Sequence, residues 1–136
     1  MKKAILLTII ILILVVGGFF LFRTLSEVKP FSDLSAGEIS EVTFSVNYYG
    51  TIRALDEHEI DELVSILRKV ATYSQDNSHA NYNGGQNLTF NITKTDGSEV
   101  SIMGHASTIV IDGAGYRTKS KSLEELRRFG NSLGEE

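Results

Sequence analysis

The stretch AILLTIIILILVVGGFFLF, residues 4–22, carries no charge between Lys3 and Arg23, and the rest of the chain is read outward from it. At 1.5 Å per residue it makes a helix of about 28 Å, close to the roughly 30 Å hydrocarbon core of a bilayer. No face of the run is polar, which argues against the one-sided helix of a soluble core. A signal peptide has an apolar region of only about 7–15 residues, closed by a small-x-small site. Here the run is longer and ends on Phe19, Phe20, Leu21 and Phe22, so an uncleaved anchor is expected. Val16-Gly17-Gly18 and Thr24-Leu25-Ser26 are poor cleavage patterns, and a chain without cysteine has no lipidated thiol. Cleavage near Ser26 would instead give a secreted protein. Adjacent Gly17 and Gly18 do not form a small-xxx-small dimerisation face.

Flanking charge sets an expected direction. Lys2, Lys3 and the α-amine precede the helix, with Arg23, Glu27 and Lys29 after it. The positive-inside rule then places the N-terminus in the cytoplasm and residues 24–136 outside a plasma membrane, read as bacterial. The expected organisation is a cytoplasmic stub and transmembrane helix (1–23), a juxtamembrane linker (24–30) and one extracytoplasmic α+β domain (31–136). All seventeen acidic residues but only ten of the thirteen Lys and Arg lie beyond Arg23, leaving that part near −7. Such a balance argues against nucleic acid and against docking on an anionic lipid surface.

Beyond the tether, Pro30 marks the start of the fold, and Ser35 with Glu38 has capping-box spacing for a single turn. Residues 41–49 alternate strictly, with Val42, Phe44, Val46 and Tyr48 on one side, and residues 51–55 form a second short strand. Asp56 caps a helix, Glu59 completes its capping box, and Ile60, Leu63, Val64, Leu67, Val70 and Ala71 make one apolar stripe. The polar stretch YSQDNSHANYNGGQ, residues 73–86, reads as a long loop of the kind that carries contacts. Residues 87–94 alternate again. A three-residue loop Thr95-Asp96-Gly97 pairs Ile92 with Val100 and Phe90 with Ile102, putting Gly97 at positive φ. A two-residue Asp112-Gly113 turn pairs Ile111 with Ala114 and Ile109 with Tyr116. Ser122 and Glu125 frame a last short helix, with Gly130 as its stop. The order is β-β-α-β-β-β-α, an antiparallel sheet with helices packed on one face.

Chemistry-bearing residues are sparse. His58, His79 and His105, with Asp76 and Asp112, lack the HxH, HxxxH or HExxH spacing that puts two imidazoles on one face, so no metal and no cofactor are expected. There is no Gly-x-Ser-x-Gly elbow, and Gly84-Gly85 lacks the Lys-Ser/Thr of a phosphate loop. Asp76, Asp96 and Asp112 read as loop and turn formers, and no enzyme is expected. Asn87-Leu-Thr89 and Asn91-Ile-Thr93 fit a glycan acceptor pattern, but on a bacterial surface they carry no meaning. What remains is recognition: tyrosine supplies contact area at little entropic loss, and of Tyr48, Tyr49, Tyr82 and Tyr116 the first and last read as core, so Tyr49, His79 and Tyr82 are the candidate contact surface.

The strings PFSDLSAGEISEVTFSV (30–46), ALDEHEIDELVSILRKVATY (54–73), GGQNLTFNITKTDGSEVSI (84–102) and IVIDGAGYRT (109–118) resemble small membrane-anchored extracytoplasmic domains of uncharacterised, mostly Gram-positive, bacterial proteins. The resemblance implies a surface location and an α+β fold, and brings no catalytic or ligand residues with it. The expected function is therefore a non-catalytic interaction or sensing module on a single membrane helix, meeting an unknown protein or small-ligand partner. The alternative is an envelope inhibitor or immunity-type protein that binds a peptide or an enzyme.

Overall fold

A computed structural model describes residues 1–25, 27–46, 52–77, 87–105 and 107–134, with the backbone alone for 22–25, 105, 120 and 134. Helix α1, Lys2–Leu25, contains the whole apolar run, and residues 1–21 are exposed along its length. It is long and apolar enough to cross a membrane. A single 3-10 turn, Ala36–Glu38, follows where the Ser35 and Glu38 spacing predicts one, although Ser35 makes no side-chain cap.

Among the described residues, the domain is one seven-stranded antiparallel sheet with two helices. The strands are β1 (Ile39–Val46), β2 (Arg53–Ala54), β3 (Thr72–Gln75), β4 (Leu88–Lys94), β5 (Glu99–His105), β6 (Thr108–Ile111) and β7 (Ala114–Thr118). Their spatial order is β2-β1-β4-β5-β6-β7-β3. Both hairpin registers match the spacing argument. Phe90 faces Ile102 and Ile92 faces Val100 across β4 and β5, with Gly97 at φ +87°. Ile111 faces Ala114 and Ile109 faces Tyr116 across β6 and β7, with Asp112 at φ 49° and Gly113 at φ +87°. Positive φ at both central residues matches the right-handed twist of the flanking strands.

Helix α2, Glu57–Arg68, opens on the expected capping box: Asp56 accepts from the Glu59 N–H at 2.8 Å, and the Asp56 N–H donates to the Glu59 carboxylate at 3.0 Å. Leu63, Val64 and Leu67 are buried; Val70 and Ala71 are buried too, but past the end of the helix at Arg68. Helix α3, Ser120–Gly134, is longer than expected, and Gly130 does not stop it. Gly130 lies mid-helix where α3 meets the sheet; a Cβ there would stand 2.7 Å from Leu88 Cδ1 and 3.3 Å from Phe44 Cε2. The missing side chain lets helix and strands touch, a close-approach role that looks in sequence like a C-terminal stop. The Phe129 ring stacks on Phe90 with centroids 5.9 Å apart, and Phe90 lies 5.0 Å from Phe44.

Alternate residues of β1, β4, β5 and β6 (Val42 and Phe44; Leu88, Phe90 and Ile92; Ile102; Ile109) join Leu63, Leu67, Leu126 and Phe129 in one core, so both helices cover the same sheet face. Each of these large side chains contributes about 1.5–3 kcal/mol by leaving water. The short β2 departs from the pattern: Ile52 is exposed, as is Ala54, and Leu55 supplies the buried contact.

Two more strands are seen than the order β-β-α-β-β-β-α counts. The Asp112-Gly113 turn separates β6 from β7, and β3 occupies the start of the stretch expected as a loop. The β3 segment TYSQ is polar because β3 is an edge strand of the sheet, where only part of it needs burial.

Candidate functional site

Where the sequence predicts a linker over 24–30, the chain is bound to the sheet. Helix α1 runs to Leu25, and Val28 forms an antiparallel bridge with Thr72 of β3. The Val28 N–H donates to the Thr72 carbonyl at 2.9 Å, and the Thr72 N–H donates back at 2.7 Å. The Thr72 hydroxyl adds a third bond to the Val28 carbonyl at 3.1 Å, and Thr72 is buried. On the other side of β3, the Thr118 hydroxyl donates to the Ala71 carbonyl at 2.6 Å. Buried backbone groups at this end of the sheet are thereby satisfied.

Side chains extend the joint. Lys119 Nζ lies 3.4 Å from Glu27 Oε2, and the Tyr73 hydroxyl and the Glu27 carboxylate together hold the ammonium above its ordinary value of 10.5. Lys119 is thus cationic at every physiological pH. Arg117 Nε stands 3.4 Å from Asp76 Oδ2, and Asp76 and Asn77 pair with β7 through the backbone N–H and carbonyl of Gly115. Glu27 and Lys119 are 92 positions apart, and no local pattern announces their meeting. The Thr72-Tyr73 pair, one β-branched and one aromatic residue, is the signal that could have revealed β3.

The sheet face away from the helices is polar over β1, β4 and β5. Thr43, Asn91 and Ser101 stand in one cross-strand row. With Glu41, Thr93, Glu99 and Asp112 they line an open hollow of about 520 Å³. The Asp112 carboxylate accepts from the Ser101 N–H at 2.8 Å, and the Asp112 N–H donates to the Ser101 carbonyl at 2.9 Å. Its role is to tie the β6–β7 turn to β5. The hollow offers hydrogen-bonding groups and carboxylates, with no histidine, lysine or cysteine among its lining residues.

The predicted contact residues Tyr49, His79 and Tyr82 lie outside the described residues, as does Tyr48. Tyr116 is half-buried against the core, and His58 is exposed in the first turn of α2. Asp96 accepts from the Ser98 hydroxyl and N–H within the β4–β5 turn, at 2.6 and 2.9 Å. Among the described residues, no group of three or more His, Asp or Glu side chains is placed to hold a metal ion. No protein-family model, curated protein or solved structure matches the chain.

Proposed function

We propose that this chain is a single-pass membrane protein, N-terminus in the cytoplasm, whose outer domain is a non-catalytic interaction or sensing module. One observation carries the reading. An apolar helix exposed along residues 1–21 ends at Leu25, and three residues further on Val28 is already paired to Thr72 at an edge of a folded domain. Exposing such a helix to water is costly, and a bilayer is the surrounding that removes the cost. A small domain attached in this way suits recognition at the membrane surface. The polar hollow over β1, β4 and β5 is one described place where a partner would find hydrogen-bonding groups.

The chain has no cysteine, so single cysteines report topology cleanly. Thr95→Cys, at the exposed β4–β5 turn, is expected to react with a membrane-impermeant maleimide on intact cells, and Lys3→Cys only after permeabilisation. The opposite pattern overturns the orientation, and release of the protein by alkaline carbonate overturns the anchor. Crosslinking and pull-down of the tethered protein from membranes tests the interaction part; retention of nothing removes it.

A further inference from the structure

We infer that the β3 edge of the domain is a docking surface for anionic phospholipid headgroups, with Lys29, Lys119 and Lys121 as its contacts. The inference rests on α1 being a bilayer span and adds what the domain does beside it. Chain geometry sets the distance. From Phe22, where the apolar run ends, three helical residues and two more that span at most their fully extended length reach Glu27, so it lies at most about 12 Å further on. The headgroup layer occupies about 5–8 Å of that interval. Lys119 Nζ lies 3.4 Å from the Glu27 carboxylate, Lys29 follows the bridging residue Val28, and Lys121 follows two residues after Lys119. All three lysines are exposed.

Charge distribution points the same way. Four of the ten Lys and Arg beyond Arg23 belong to this edge or follow it within two residues (Arg117 and Lys119, then Lys29 after Val28 and Lys121 after Lys119), against two of the seventeen acidic residues paired there, Glu27 and Asp76. The edge is net positive and the remainder of the domain strongly negative. An anionic bilayer attracts the first and repels the second, so the charge asymmetry orients the domain with β3 toward the lipid even though its total charge is negative. Val28, more than half exposed between these cations, adds an apolar group at interface depth.

The test uses the full chain reconstituted into vesicles of phosphatidylcholine alone or with one quarter phosphatidylglycerol. A donor dye on Gln75→Cys, in β3, reports transfer to an acceptor on the lipid headgroups, and Thr95→Cys serves as the distant reference. Transfer from position 75 is expected to rise with phosphatidylglycerol and to fall back in 0.5 M salt, about one Debye length then spanning only a few ångströms. Lys29→Gln with Lys121→Gln is expected to lower the docked population about fivefold per cation removed, whereas Lys94→Gln leaves it unchanged. Transfer independent of phosphatidylglycerol, or equally sensitive to Lys94→Gln, overturns the docking edge while the span stands. Failure of the chain to remain with vesicles in alkaline carbonate overturns the span and the docking edge together.

Discussion

Val28 and Thr72 exchange both backbone hydrogen bonds, at 2.9 and 2.7 Å, across 44 positions of sequence. The contact fastens the segment leaving α1 to the sheet edge. Val28→Pro removes one donor and leaves the carbonyl of a buried Thr72 without its partner. The expected loss is about 1–3 kcal/mol of domain stability. Val28→Ala keeps both bonds at an exposed position and is expected to stay within about 0.5 kcal/mol of the parent. Urea unfolding of the full chain in detergent separates the two.

Gly130 is the tightest point between α3 and the sheet. Gly130→Ala gains helix propensity, about 1 kcal/mol, but drives a methyl into Leu88 and Phe44. Overpacking of this kind costs about 1–3 kcal/mol, so a net loss of stability is expected. Pairing it with Leu88→Val should recover part of the loss, and the coupling energy from a double-mutant cycle is the measurement.

Gly113 sits at φ +87° in a two-residue turn. Gly113→Ala forces a Cβ into the left-handed region and is expected to cost about 1–2 kcal/mol. The urea midpoint should drop with the slope unchanged, because the compactness of the unfolded chain is not altered.

Asp96 is held below the ordinary carboxylate value of 3.8, first by the Ser98 hydroxyl and then by the Ser98 N–H. A native pKa lowered in this way contributes stability above the unfolded value and loses it as pH falls through the native one. The melting-temperature difference between the parent and Ser98→Ala should therefore be present near neutrality and shrink below pH 3.8. Asp96 is fully solvent-facing, so the effect is expected to be small.

Local rules made much of the fold legible. The Asp56–Glu59 box and the Gly97 and Asp112-Gly113 turns act within a few residues, and each turn sets the register of a whole hairpin. Non-local pairing stayed hidden. β3 carries little local signal beyond Thr72-Tyr73 and is set by partners far along the chain, Val28 before it and Thr118 and Tyr116 after it. Gly130 misled because a glycine near the end of an apolar stripe suits a helix stop and a close approach equally well. For the site, Tyr49, His79 and Tyr82 rested on composition, whereas the tether edge arises from Glu27 and Lys119 meeting after the chain has folded.

One residue, Ser26, separates the last turn of α1 from the segment held by Thr72 and Lys119. If α1 spans a bilayer as proposed, so short a connection would couple the inclination of the helix to the orientation of the sheet. Thickening or thinning of that bilayer, which changes the helix tilt, would then turn the polar hollow toward or away from the lipid.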